Sequence, residues 1–206
     1  MPPMILAVPA ARSRGPRFPQ SVLSRIAACL WALQIAPQAQ AEVLQPRPQV
    51  SARVQAAFTP GDDVAGMIVA AIGQARRQVL VQAYSFTHEG IAQALLAAHR
   101  RGLDVRLIAD RGQTEQLQRS QVPGLARDGL PVWLDDAHLS AHDKVMLIDT
   151  GLPSALLISG SYNFTRAAQY KNAENVLFIR DSEALLQAYL DNWRRHQNHA
   201  EPLRVH

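Results

Sequence analysis

The sequence predicts an α/β fold in which a mixed β-sheet is flanked by helices on both faces, an α/β/α sandwich. Three observations carry this. Short apolar runs alternate with stretches of helical periodicity along most of the chain. Cap and turn residues fall at the joints between them. At 206 residues and 48% hydrophobic content, the chain can bury one substantial core.

In order, the pattern predicts a strand over 54–58 and then a helix over 62–75, for which Asp62 or Asp63 supplies the cap. A strand at 78–84 leads into a helix over 88–101 that Gly102 ends. A strand at 104–109, a helix within 114–127 and a short strand at 132–134 follow. The C-terminal half predicts strands at 142–148 and 155–159, a short helix near 164–169, a strand at 175–179 and a last helix over 182–195. His196 and His199, beyond that helix, are expected in solvent together with Arg194 and Arg195, and Trp193 is expected in the core or an interface.

The first 41 residues read differently. Arg12, Arg14, Arg17 and Arg25 precede an apolar run from Ile26 to Ile35, and Ala39-Gln40-Ala41 follows as a small-x-small cleavage site. This predicts a signal peptide over 1–41, a flexible lead-in over 42–52 with Pro46 and Pro48, and a single catalytic domain over 53–206 in the periplasm or outside the cell. A run of about ten apolar residues is half the roughly 20 needed to span a bilayer. The alternative, a lipid attached at Cys29, is disfavoured by Arg25, which leaves no apolar stretch upstream of the cysteine.

Cleavage changes the charge. The formal net charge is +4, but four arginines lie in the leader, leaving 17 basic and 17 acidic residues. Bulk charge therefore gives no argument for nucleic-acid binding, and any phosphate affinity must come from local clustering. Cys29 is the sole cysteine, so the remainder can use neither disulfide nor thiolate chemistry.

The chemistry sits in His142-Asp143-Lys144-Val-Met-Leu-Ile-Asp149, followed by Gly160-Ser161-Tyr162-Asn163 and Asn172-Ala-Glu174-Asn175. On a strand, His142 and Lys144 at i and i+2 share a face, whereas Asp149, seven positions on, takes the other and reads as a brace. A neutral imidazole is a competent nucleophile, and an adjacent ammonium can bind the non-bridging oxygens of a phosphodiester. Ser161 and Asn163 add a hydroxyl and an amide for the same oxygens, and Glu174 is a candidate acceptor from the second ring nitrogen of His142. With this composition, a His-x-Lys-x4-Asp spacing arises by chance in about one chain in 300, before the Gly-Ser-x-Asn is demanded.

These residues resemble the signature of the phospholipase D superfamily. With the Tyr84-Ser85-Phe86-Thr87 segment, the apparent signal peptide and the Asn-x-Glu-Asn segment, the chain is similar to that superfamily's small, exported bacterial endonucleases. The similarity covers nearly all of residues 53–195; the run from Leu152 to Ala155 lengthens the link between Asp149 and Gly160 beyond that branch's pattern.

The resemblance implies that His142 attacks phosphorus to form a phosphohistidine. One motif per chain then implies a homodimer with the site across the two-fold axis, where the second His142 is the acid and base. It further implies Lys144, Ser161 and Asn163 on phosphate, Glu174 orienting His142, Asp149 and Gly160 in support, and neither a metal nor another cofactor. The expected substrate is DNA, with RNA open as a second; the alternative is a phospholipid headgroup, disfavoured because no basic amphipathic helix marks a membrane-binding face.

Other residues carry competing readings. His138 and His142 at i and i+4, with Asp135, Asp136 and Asp143, suggest a divalent-metal site, against which the Lys144 ammonium argues. Ser85 reads equally as a pocket-edge hydroxyl or a strand-end turn, and His88 as a helix cap. A catalytically idle nucleic-acid-binding module is a third functional class, opposed by the intact signature.

Overall fold

In the computed structural model, residues 52–204 are described. The expected signal peptide, and the lead-in apart from Ala52, lie outside them. Eight strands form one mixed sheet in the order β1-β7-β6-β5-β2-β3-β4-β8. They are β1 (Arg53–Thr59), β2 (Gln78–Ala83), β3 (Asp104–Asp110), β4 (Val132–Asp135), β5 (Lys144–Ile148), β6 (Leu156–Gly160), β7 (Glu174–Arg180) and β8 (Glu201–Pro202). Pairings β2–β3 and β3–β4 are parallel, and the rest are antiparallel.

Helices α1 (Val64–Gln74) and α2 (Glu89–Arg100) cover one face. Their buried stripes, including Ile68, Ile72, Ile91 and Leu95, pack on Val79, Val81, Met146 and Ile148 of the sheet. Asp63 caps α1 by accepting from the Gly66 N–H, and His88 caps α2 through its Nδ1, as expected. The opposite face is covered by α6 (Glu183–His199), whose Leu186, Leu190 and Trp193 pack on Leu80, Val145, Leu147 and Leu157. Alternation along the strands is what sends Val145 and Met146 to different cores. Trp193 is fully buried, and its Nε1 donates to the Val81 carbonyl at 3.0 Å.

Four local expectations change. The helix expected within 114–127 is two short ones, α3 (Arg111–Gln116) and α4 (Val122–Arg127), separated where Ser120 N–H bonds the Leu117 carbonyl and Pro123 opens the second. The strand expected from His142 begins at Lys144, because Asp110 takes the Ala141 N–H and the last ladder contact is Tyr84 N–H to the Asp143 carbonyl. The last helix runs to His199 rather than Arg195. After it comes β8, an unexpected edge strand paired to β4. Between β6 and β7, α5 (Arg166–Tyr170) completes the set, capped by Thr165.

Candidate active site

Topology gathers the motif at one sheet edge. Strands β2 and β6 end there while β5 and β7 begin there, and the register places Ala83 opposite Lys144 and Gly160 opposite Val176. Tyr84, His142, Lys144, Ser161 and Glu174, distant in sequence, thereby emerge side by side.

His142 lies just outside β5, exposed, with its ring against Tyr84 at a centroid distance of 4.3 Å and tilted by 54°. Lys144 is 7% exposed; its Nζ stands 3.0 Å from His142 Nδ1, donates to the His142 carbonyl at 2.6 Å and sits 4.8 Å over the Tyr84 ring. Burial pushes the Lys144 ammonium below the ordinary lysine range, against the pull of Asp143 and Glu174. The histidine–lysine pairing read from the i, i+2 spacing is thus present as a direct contact. In the sequence Tyr84 stands out only as part of the Tyr84-Ser85-Phe86-Thr87 segment; its place as a platform for both groups depends on the β2–β5 register.

The Lys144 ammonium can only donate, so in a neutral imidazole it pairs with Nδ1 as the acceptor. Glu174 does not orient His142 within the chain, contrary to expectation. Its two oxygens accept instead from Ser161 Oγ at 2.6 Å and Asn172 Nδ2 at 2.9 Å, because β6 and β7 pair so that Ser161 faces the start of β7. Ser161 Oγ also accepts from the Asn175 N–H at 3.1 Å. Asn163 follows two residues later, its side-chain oxygen buried and without a hydrogen-bond partner among the described residues.

Gly160 has a steric reason to be glycine. A Cβ there would lie 2.2 Å from the Asn175 carbonyl oxygen, far inside van der Waals contact, so only glycine lets β7 approach.

Asp149 is a brace in the literal sense. From φ +54° its buried carboxylate accepts from the backbone N–H groups of Arg76, Arg77 and Gln78 at 2.8–3.1 Å and from Ser154 Oγ at 3.2 Å. Burial raises its pKa, and these hydrogen bonds outweigh that and hold it below the usual carboxylate range. It ties the end of β5 to the start of β2 at the sheet edge opposite His142.

Ser85 donates to Gln113 Oε1 at 2.7 Å. The metal grouping of His138 with His142 does not form: His142 faces Lys144, and His138 stands with His196 and His199, 5.3 and 5.4 Å between ring centroids. His196 and His199 are accordingly not free in solvent, since both bond Asp135.

Known proteins resemble the chain in sequence and in fold. A family model described as "Cardiolipin synthase, PLD-like domain" matches residues 68–196. A protein named phospholipase D from Rickettsia felis is 38% identical over 141 residues, 68% of each chain. The mitochondrial cardiolipin hydrolase of Chlamydomonas reinhardtii is 31% identical over 114 residues, 55% of this chain and 49% of that protein. Among solved structures, the phospholipase D family member Nuc from Salmonella typhimurium superposes with a TM-score of 0.69 at 30% identity, covering 75% of this chain and all of Nuc. NucT from Helicobacter pylori, at 22% identity and a TM-score of 0.66, shares the fold.

Proposed function

Because the chain belongs to the phospholipase D superfamily and so to its phosphodiester-cleaving hydrolases, we propose that it is an exported, metal-independent endonuclease acting on DNA without sequence preference, with RNA as a second substrate. The observation that carries the reading is the contact between exposed His142 and buried Lys144 beside the Ser161–Glu174 strand ends. Similarity over the whole of Nuc and 75% of this chain favours this branch.

In the proposed reaction, a non-bridging phosphate oxygen draws the Lys144 ammonium away from His142. The freed imidazole attacks phosphorus, forming a P–N bond while the P–O bond to the leaving group breaks. The His142 of a second copy enters the step as the imidazolium, gives one of its two ring protons to that oxygen and becomes neutral. It then takes a proton from the water that attacks phosphorus and cleaves the P–N bond, which restores both histidines. Ser161 and Asn163 hold the phosphate oxygens. Glu174 is displaced from Ser161 as substrate binds, and at the two-fold interface it is available to the imidazole.

Pairing is supported by the outer part of the sheet. Val54 and Phe58 on β1 and Leu177 on β7 are exposed, and the register sets Ala56 opposite Leu177 on their common face. An apolar stripe next to the site suits a two-fold contact.

The second reading, hydrolysis of a phospholipid headgroup, is favoured by the names of the Rickettsia relatives. Among the described residues no helix is long and apolar enough to cross a membrane. Incubating the protein with plasmid DNA, RNA and phosphatidylcholine vesicles in parallel, in excess EDTA, separates the two. DNA cleavage outpacing lipid hydrolysis is the expected result; lipid turnover alone, or DNA cleavage that stops in EDTA and returns with magnesium, overturns the proposal.

A further inference from the structure

A second cluster of chemistry-bearing side chains lies on the same sheet edge, beyond the catalytic motif. Asp135 ends β4, His138 follows in the loop to β5, and His196 and His199 occupy the last turn of α6. One ligand atom from each lies within 4.8 Å of the others. His196 Nδ1 and His199 Nε2 converge on the same oxygen, Asp135 Oδ2, at 2.7 and 3.1 Å. Those spacings are close to the edge of a tetrahedron about a zinc ion with bonds of roughly 2.0–2.1 Å.

Hydrogen bonding alone does not account for the group. Asp135 is fully buried, and one imidazole N–H with the Ala137 N–H, already bonded to Oδ1 at 3.1 Å, would satisfy it. Instead three imidazoles crowd together, with centroids 5.1–5.4 Å apart. Protonated, they would repel one another; neutral, they present lone pairs to one point. A divalent cation resolves both conditions, and an N3O donor set of this size selects zinc over magnesium or calcium. The other nitrogen of His196 faces a carboxylate as well, Nε2 standing 3.8 Å from Asp143 Oδ2. An outer carboxylate of this kind orients a metal-bound histidine.

We propose that Asp135, His138, His196 and His199 form a structural zinc site. It has four protein donors, which leaves no open position for catalysis, and it stands apart from the proposed metal-free reaction. Its effect is positional. The loop from Asp135 to Asp143 carries His142 at its far end, pinned by Asp110 to the Ala141 N–H at 2.8 Å. Zinc would fasten the near end of that loop to the end of α6, and Asp143, flanked by the catalytic pair, touches the site through His196. The identity of the two groups of histidines is therefore different: His142 acts on phosphate, and the other three hold the frame that presents it.

The test uses untagged protein, stripped with chelator and reloaded with zinc sulfate. Elemental analysis after desalting should give one zinc per chain, and the melting temperature should rise with zinc. His138→Ala, at an exposed loop position without hydrogen bonds among the described residues, should weaken zinc binding by at least about 10-fold, since loss of even an outer partner commonly costs that much. His196→Ala combined with His199→Ala should abolish binding, whereas His142→Asn should leave stoichiometry at one. Cobalt substituted into the wild-type chain should show the intense visible bands of tetrahedral coordination, which keeps the test valid if the double variant fails to fold. Sub-stoichiometric zinc, binding unchanged in His138→Ala, binding lost in His142→Asn, or a pale octahedral cobalt spectrum would each overturn the site.

Discussion

Replacing Asp149 should destabilise the fold while sparing the chemistry of each folded molecule. Its carboxylate accepts from three backbone N–H groups at the start of β2. Asp149→Gly keeps the positive φ at no steric cost but orphans those donors, each costing about 1–3 kcal/mol when buried. Taking the low end, for partial rehydration, gives about 3 kcal/mol. Asp149→Asn tolerates the same backbone conformation and keeps one acceptor oxygen, so its cost should be about 1–2 kcal/mol, the difference between charged and neutral hydrogen bonds.

The pH dependence supplies a sharper check. The folded Asp149 carboxyl lies below its ordinary value, so its contribution is complete above the unfolded pKa and declines as pH falls through the folded one. The stability gap between wild type and Asp149→Asn should thus be full at neutral pH and close at pH values below about 4, the unfolded reference. Urea unfolding at a series of pH values, with cleavage rates normalised to folded protein, measures both effects. A gap that stays constant to low pH, or activity lost without loss of stability, would refute the brace.

Other expectations concern the reacting edge. Gly160→Ala must push β6 from β7, since its Cβ would meet the Asn175 carbonyl at 2.2 Å; thermal unfolding should show at least about 2 kcal/mol of destabilisation, in the range of overpacked cores. The depressed Lys144 pKa predicts that activity fades, as pH rises, before free lysine would lose its proton; a pH–rate profile flat into the ordinary lysine range would contradict this. Tyr84→Phe retains the ring under His142 and Lys144 and should keep near-normal turnover, whereas Tyr84→Ala should lower kcat by about 10-fold or more, consistent with the sensitivity of catalysis to small misplacement. Equal rates in the two variants would remove Tyr84 from the site.

What was legible in the sequence follows from distance along the chain. His142 and Lys144 are two residues apart at the start of β5, so their contact is local and legible, and Asp149 is separated from them by the length of that strand. The layered sheet was legible because each strand and helix carries its own apolar period. The partner of Glu174 within the chain was not legible, because it depends on how β6 and β7 align: the register that sets Gly160 opposite Val176 brings its carboxylate to Ser161. The Asp135 cluster was missed for a related reason. Its bonds to His196 and His199 span more than sixty residues and exist only because α6 continues one turn past Arg195. The i, i+3 spacing within each pair, Asp135 with His138 and His196 with His199, was the available signal, and it showed half a site twice without showing that the halves meet.

The central claim is that His142 attacks phosphorus without a metal. Rapid acid-free quenching of the enzyme with a labelled oligonucleotide in EDTA, followed by mass mapping of the modified peptide, tests it directly. The account predicts a phosphoramidate adduct on His142 that is absent from His142→Asn, whose turnover is also lost; an adduct on another residue, or normal turnover by His142→Asn, would contradict it.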